Sequence, residues 1–236
     1  MVAHALTPDP VPGHAPEAHI ADSAKRTEPA AGGRRYRGLS AQDRRVDQRR
    51  RLVRAAIDEF AARGYHHTSV EDIVRSARTS RTAFYAFFDN REDAMYGALQ
   101  TCLRSLLDTV RDKLGHASFR DNLTEVGVRA YVDCLVADPA GARVILLEGV
   151  GTSPEVNALR SRIRRELADV IRDLWAHSDP QAAGSPQAAA ISVGVFGILF
   201  ESMVHLAETN RLAEAPDHVP ALVTAIDRVL ASHPAG

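Results

Sequence analysis

The chain has 236 residues, of which 45% are hydrophobic and 25% charged, so it can form one large or two modest globular domains. Its two cysteines, Cys102 and Cys134, have neither zinc-ligand nor redox spacing and suggest no disulfide framework. The sequence has no apolar signal-peptide core and no run of 18 apolar residues, so we expect a cytoplasmic protein without a membrane span.

Charge is unevenly distributed along the chain, although the formal net charge is only -1. Residues 34–91 contain 14 basic and 7 acidic residues, whereas the rest of the chain contains 15 basic and 23 acidic residues. Codon composition can explain why Arg outnumbers Lys 27 to 2, but it does not explain this segregation of sign. A basic segment joined to an acidic remainder is typical of a polyanion-binding module attached to a second domain.

Residues 1–39 are predicted to form an N-terminal arm. The first 33 residues contain five prolines and almost no large apolar side chains, so burial cannot offset the entropy of ordering and we expect disorder. An Arg-rich segment follows, in which Arg35 and Arg37 are candidates for contacts with DNA phosphates. The alternative is that this segment is a solvated, charged tail.

The first helix is predicted over residues 41–63. Its basic start gives way to an apolar face, and Ser40 with Asp43 has the spacing to cap it. Gly64 lies where a left-handed C-cap is needed, because glycine adopts that conformation without a steric penalty. The pattern therefore predicts one long helix that ends in a turn.

Two short helices are predicted to follow between Thr68 and Phe88. Thr68 and Glu71 have the spacing of a capping box, and apolar residues then recur at helical spacing. After a break in this pattern, Ser80 or Thr79 can cap a second helix that runs to about Phe88. A helix this short must dock on its neighbours, and its free face can enter the major groove of DNA. This is the arrangement of a helix-turn-helix.

Residues 50–99 resemble the DNA-binding domain of the tetracycline-repressor (TetR) family. The matching features, in chain order, are Ala55-Ala56, Phe60, Gly64-Tyr65, Thr68-Ser69-Val70, Ile73, Ser80, Phe84-Tyr85, Phe88 and Arg91-Glu92. The family usually has Gly at the turn between the two short helices, whereas this chain has Arg78. A left-handed backbone at a non-Gly residue costs roughly 1 kcal/mol, so we expect a slightly reshaped turn. Arg91 replaces the Lys that is usual there and keeps the positive charge.

The predicted DNA contacts fall into two groups. The exposed start of the second short helix is the candidate for base readout, with Arg81 suited to bidentate recognition of guanine. The base-readout candidates are Ser80, Arg81, Thr82, Ala83 and Ala86. The resemblance also implies phosphate contacts, which fix register without specifying sequence. Those candidates are Thr68, Ser69, Tyr85 and Arg91, together with Arg35 and Arg37 of the arm.

The remainder of the chain is predicted to be helical throughout, which gives an all-α fold of about nine helices. The predicted spans are 91–114, 121–137, 139–148, 154–177, 187–209 and 219–231, with a mobile loop over 178–186. We predict a helix-turn-helix DNA-binding domain over residues 40–90. Residues 91–236 form the second domain, to which the resemblance assigns effector binding and dimerisation.

The predicted helix over 187–209 is apolar nearly all round, so it must be covered on every side. A second subunit is expected to cover one side, in line with the four-helix dimer bundle that the resemblance implies. The candidate interface residues are Ile191, Val195, Ile198 and Ser202. A membrane span is the rival interpretation, but Glu201, His205 and Glu208 interrupt the apolar run.

The resemblance also implies an effector pocket among the inner helices. Its candidate residues are Tyr131, Cys134, Trp175, Phe196, Phe200 and Met203; the alternative for each is an ordinary core position. Glu201 and His205 stand four residues apart on the same apolar helix. They can polarise an effector or bind a metal, but an ion pair, buried or at an interface, is the favoured interpretation.

These features predict a sequence-specific DNA-binding regulator, a ligand-released repressor that acts as a homodimer on a palindromic operator. Its expected partners are double-stranded DNA, a second copy and a small apolar or amphipathic effector, with no cofactor, metal or membrane. The alternative is a ligand-independent DNA-binding or architectural protein with a purely structural C-terminal domain. An enzyme built on Glu201 and His205 is disfavoured, since the sequence has no nucleophile constellation, phosphate loop or metal cluster.

Overall fold

All regular structure in the described part of the chain is helical, which confirms the predicted all-α fold. A computed structural model describes residues 40–118, 121–149 and 151–232. The predicted arm over 1–39, including Arg35 and Arg37, lies outside these residues. Ten α-helices are described in these ranges. They are α1 (Ala41–Arg63), α2 (Val70–Ser76), α3 (Arg81–Tyr85), α4 (Arg91–Gly115), α5 (Leu123–Ala137), α6 (Pro139–Arg143), α7 (Pro154–Ser178), α8 (Pro180–Ala183), α9 (Ala188–Glu208) and α10 (Ala215–Ala231).

Helix α1 has the predicted bounds and the predicted caps. The Ser40 hydroxyl accepts from the Asp43 N–H at 3.0 Å, and the Asp43 carboxylate accepts from the Ser40 N–H at 3.1 Å. At the other end Gly64 has φ 82° and ψ 155°, and its N–H donates to the Phe60 carbonyl. The positive φ at Gly64 is confirmed, although its ψ lies beyond the left-handed helical region in a conformation essentially restricted to glycine.

The two short helices begin and end differently from the prediction. The capping box of α2 is formed by Ser69 and Asp72, one residue later than the predicted Thr68 and Glu71. Because the Thr68 hydroxyl is bonded elsewhere, Ser69 is the side chain left to cap α2. Helix α3 is capped by Ser80, as one of the two predicted alternatives, but it ends at Tyr85 rather than near Phe88.

The turn between α2 and α3 carries the expected backbone strain at Arg78. Its φ is 51°, the left-handed conformation predicted for this position. The neighbouring Thr79 N–H donates to the Val74 carbonyl at 2.9 Å, which closes the turn. The cost of roughly 1 kcal/mol at a non-Gly residue is offset by the packing of α2 on α1 and of α3 on α2.

The C-terminal helices match the predicted order, with three local differences. The predicted helix 139–148 is α6 followed by a π-helical turn over Val144–Glu148. The expected mobile loop 178–186 contains α8, which starts at Pro180 and is capped by Asp179. Helix α10 starts at Ala215, four residues before its predicted start, with a proline in its first turn, where a missing N–H costs no hydrogen bond.

One continuous apolar core extends from the N-terminal helices into the C-terminal ones. Phe60, Phe84, Met95, Leu107 and Met203 are all at most 1% exposed and belong to it. Burial of each such side chain contributes on the order of 1.5–3 kcal/mol. Helix α4 lies centrally because it contacts α1 on one side and α5 and α7 on the other.

Helix α9 is buried on one side and open on the other. Val195, Phe196, Leu199 and Met203 are buried, whereas Val193 is 44% exposed. By length and composition α9 is apolar enough to cross a membrane, but only a third of its most apolar window, 33%, is buried in this chain. Within the described ranges the open side of α9 therefore stays uncovered.

Candidate nucleic-acid interface and internal cavity

The candidate recognition surface is the exposed side of α3. Phe84 and Phe88 are 0% and 3% exposed and fix α3 to the core, with ring centroids 5.4 Å apart. On the opposite side Arg81, Thr82 and Ala86 are exposed, and Ala83 is half-buried. The interpretation of these phenylalanines as core is confirmed, and the other side is free to meet a ligand.

Arg81 is exposed but already engaged by two neighbours. Its guanidinium lies 2.7 Å from the Glu71 carboxylate of α2. The hydrogen bond with Tyr85, and then the Glu71 charge, hold the pKa of Arg81 above its usual value. These contacts orient the guanidinium beside the exposed side of α3. A guanine edge or phosphate has to replace Glu71, which is possible because exposed ion pairs are weak.

The serine hydroxyls at the helix starts serve first as caps. The Ser80 hydroxyl accepts from the Ala83 N–H at 3.1 Å. The Ser69 hydroxyl accepts from the Asp72 N–H and donates to the Asp72 carboxylate at 2.6 Å. Both residues are exposed. The Ser80 hydroxyl still has its proton to donate, whereas the Ser69 proton reaches a phosphate only if its bond to the Asp72 carboxylate is broken.

Thr68 does not fit its predicted role as a phosphate contact. Its side chain is 1% exposed, and its hydroxyl donates to the Glu59 and Gly64 carbonyls at 3.1 and 2.9 Å. A buried hydroxyl whose single proton is shared between two carbonyls has none left for a phosphate. Thr68 instead ties the end of α1 to the start of α2.

The Arg91 side chain, like that of Thr68, mainly makes contacts within the chain. Its guanidinium donates to the Thr68 carbonyl at 3.0 Å and lies 4.4 Å above the Tyr65 ring. These contacts connect the start of α4 to the turn before α2. Arg91 is half-buried, and the same guanidinium nitrogen also donates to the His66 carbonyl at 3.4 Å.

Two arginines of α1 were missed as site candidates. The Arg45 and Arg49 guanidinium carbons lie 5.3 and 5.7 Å from the Phe87 and Phe88 rings, at the end of α3. Both arginines are exposed. The basic start of α1 was the available signal, but only the packing of α1 shows which of its arginines lie beside α3.

Comparisons with known proteins agree with this geometry. Residues 52–94 match the sequence family described as bacterial regulatory proteins, tetR family. The HTH-type transcriptional activator FasR of Mycolicibacterium smegmatis is 26% identical over 82% of this chain and 86% of its own length. The matched segment holds α2, α3 and the turns that orient them.

The DNA-binding helices of this chain match those of the tetR family of bacterial regulatory proteins. A further relative is the biofilm operon negative regulator IcaR of Staphylococcus epidermidis, 22% identical over 51% of this chain and 61% of its own length. A solved structure of the regulator FadR from Bacillus subtilis, in complex with stearoyl-CoA, aligns with a TM-score of 0.67. It is 14% identical, and the alignment covers 75% of this chain and 96% of that one, so the likeness shows the fold.

The C-terminal helices enclose a narrow apolar cavity between α4, α5, α7, α9 and α10. Its volume is about 50 Å³. Of the predicted pocket residues, Tyr131 and Phe196 line it, with ring centroids 6.2 Å apart. Its other walls are aliphatic, for example Leu167, Val195 and Leu199. A ligand of more than a few atoms must therefore push these helices apart.

The other four predicted pocket residues lie elsewhere. Phe200 lines a smaller adjoining cavity, and Met203 is fully buried core. Trp175 packs in a separate cluster with alanines of α8 and α9. Cys134 lies 3.9 Å from the Thr109 hydroxyl, outside this cavity. These positions are apolar like a pocket wall, but the sequence does not show which side of a helix bundle each one meets.

The predicted interface residues do not all lie on the same side of α9. Ile191, Ile198 and Ser202 are half-buried, but Val195 is 1% exposed and lines the cavity, so it does not lie on the open side. The open side instead presents Val193, and no atom of the described residues comes within 4 Å of a Cβ built at Gly194 or Gly197. Glu201 and His205 are exposed, and no ion pair within 4 Å joins them in the described ranges.

Proposed function

We propose that this regulator is a ligand-released repressor that acts as a homodimer on a palindromic operator. The observation that supports this most is the free side of α3, anchored by buried phenylalanines and flanked by exposed arginines. In this proposal Arg81 reads a base edge, and Ser80, Thr82, Ala83 and Ala86 contact neighbouring bases. Tyr85 donates to a phosphate, and Ser69 does so after its hydroxyl turns away from the Asp72 carboxylate. Arg45 and Arg49 add phosphate contacts beside them.

The homodimer is supported by the open side of α9. An apolar helix that its own chain leaves half uncovered is expected to bury that side against a second copy. Gly194 and Gly197 let a partner helix approach closely, since neither carries a side chain and nothing else fills the space. Ile191 and Ile198 border this surface. A dimer of this kind has two copies of α3 related by two-fold symmetry, which matches a palindromic operator.

Ligand release is supported by two connections between the cavity helices and the DNA-binding helices. Helix α4 begins beside Phe88, and its second half lines the cavity through Val110. The second connection is Glu148 in the π-helical turn, whose carboxylate accepts from the Tyr65 N–H at 3.0 Å. A ligand that parts the cavity walls would therefore move α4 and the turn before α2 together.

The test is a titration of effector with and without operator DNA. FadR, the structural neighbour, was solved with stearoyl-CoA, so acyl compounds are the first effectors to screen. A coupling of about 1–3 kcal/mol predicts operator affinity reduced roughly 5- to 150-fold, and by reciprocity the operator reduces effector affinity by the same factor. Equal effector affinities in the two titrations would contradict the switch, since a ligand that binds both states equally shifts neither.

Activation is a second candidate outcome, favoured by the relative FasR, which is a transcriptional activator. The DNA-binding geometry is the same in both cases, and the direction of control depends on where the operator lies relative to the promoter. In vitro transcription from the bound promoter distinguishes them, because a repressor lowers the yield of transcript and an activator raises it.

A further inference from the structure

A buried phenol without a partner lies at one end of the apolar cavity. Tyr131 is 3% exposed, and its hydroxyl has no hydrogen-bond partner in the described part of the chain. Burial raises the pKa of Tyr131, so the hydroxyl stays protonated and is a donor. A buried polar group without a partner is unfavourable, because it has lost its hydrogen bonds to water and gained none. A ligand atom that accepts from this hydroxyl would remove that cost.

Tyr131 also lines a second, smaller cavity, whose wall includes positively charged side chains. This cavity has a volume of about 20 Å³, enough for about one water molecule, and Arg160 and Arg164 of α7 line it. Arg160 is half-buried, and burial lowers its pKa. One of its N–H groups donates to the Ile145 carbonyl at 2.6 Å. No carboxylate lies within 4 Å of Arg160 among residues 40–118, 121–149 and 151–232.

The two arginines form a path from the interior to solvent. Their guanidinium carbons lie 5.8 and 5.9 Å from the Phe200 ring, and Arg164 is exposed one helical turn beyond Arg160. Polarity thus rises from the apolar cavity through Tyr131 and Arg160 to Arg164. A half-buried guanidinium without a counter-charge favours an anion, and a charge-assisted bond is about twice as strong as a neutral one.

We propose that the cavity binds an acyl chain with an anionic polar end, whose terminal oxygen accepts from Tyr131 and Arg160. The apolar chain enters the wider cavity by parting its helices. The polar end of the ligand displaces the water-sized volume beside Arg160 and reaches solvent past Arg164. The charge can belong to a free carboxylate or to a carrier joined through a thioester, since both place an acyl oxygen at the same point. This assignment deepens the proposed effector site and rests on it.

The test is isothermal titration of the full chain with dodecanoate, dodecanoyl coenzyme A and dodecan-1-ol, each as a monomer in solution. We expect at least one of the two anions to bind roughly tenfold or more tightly than the alcohol. Arg160→Gln should weaken the anions roughly 10- to 100-fold and leave the alcohol unchanged. Tyr131→Phe should weaken them about tenfold, because only the hydroxyl is lost. The tighter anion identifies the source of the charge.

The control is Arg165→Gln, an exposed arginine on the same helix that does not line either cavity. It should bind all three probes as the unchanged chain does. Equal binding of the alcohol and the anions, binding of neither anion, or full anion affinity in both Arg160→Gln and Tyr131→Phe would overturn the proposal. If a variant fails to fold, the affinities of the three probes for the unchanged chain still test whether the cavity prefers an anion.

Binding of the same preparations to DNA fragments separates this inference from the proposed function. A chain that binds DNA selectively but neither anion retains its regulatory function and loses only this ligand assignment. A chain that binds an anion through Arg160 but no DNA retains the site and loses the function.

Discussion

Glu148 offers the sharpest test of the contact between the C-terminal helices and the DNA-binding helices. Its side chain is 15% exposed, and its carboxylate accepts from the Tyr65 N–H at 3.0 Å and lies 3.5 Å from the Arg143 guanidinium. Tyr65 is itself 8% exposed. Glu148→Ala therefore leaves a nearly buried N–H without an acceptor, a cost of about 1–3 kcal/mol. For a chain of this size that lowers the Tm by roughly 2–4 °C for each kcal/mol.

The assay for this variant pairs thermal unfolding with operator affinity. Glu148→Gln is the matched control, since its amide oxygen can still accept from Tyr65 while its charge beside Arg143 is lost. We expect Glu148→Ala to have a lower Tm and a changed operator affinity. Glu148→Gln should be close to the unchanged chain in Tm and in operator affinity. Equal Tm and equal operator affinity for Glu148→Ala and the unchanged chain would show that this contact neither stabilises nor couples the two parts.

Three further predictions concern DNA binding, assembly and stability. Tyr85→Phe should weaken binding to all DNA sequences by a similar factor, measured by fluorescence anisotropy on operator and scrambled duplexes; a loss confined to one sequence would refute the phosphate role. Val193→Glu places a charge on the open side of α9 and should shift the mass measured by light scattering from dimer to monomer. The control is Glu208→Gln, at an exposed position of the same helix. An unchanged dimer mass for Val193→Glu would place the interface elsewhere. Thr68→Val leaves the Glu59 and Gly64 carbonyls without this donor and should lower stability by about 1–3 kcal/mol in urea titrations, while an unchanged midpoint would contradict the structural role.

The local signals in the sequence predicted the DNA-binding helices well because those signals are short-range. Ser40 with Asp43 set the start of α1, and Arg78 adopted the predicted left-handed backbone. The capping box of α2 was misplaced by one residue because Thr68 and Ser69 are both capable caps. Only the tertiary contacts of Thr68 with the end of α1 decide between them.

The cavity was harder to predict because burial is decided by long-range packing. Val195 and Ile198 are three residues apart on an apolar helix, yet only Val195 lines the cavity. Tyr131 and Phe196 were predicted for the pocket, but Arg160 was not, because nothing in its local sequence separates it from its exposed arginine neighbours. Its role depends on the position of α7 against Phe200 and Tyr131.

The most direct measurement of the central claim is selection of genomic DNA fragments by the full chain, followed by sequencing. The proposal predicts an enriched inverted repeat with half-site centres about one helical turn apart or a multiple of it, roughly 34–36 Å per turn. It also predicts that Arg81→Ala, with an operator affinity roughly 5- to 150-fold lower, relaxes preference at one position in each half-site. Absence of any enriched sequence, or an identical enriched sequence and affinity for Arg81→Ala, would contradict the assignment of α3 as the DNA-reading helix.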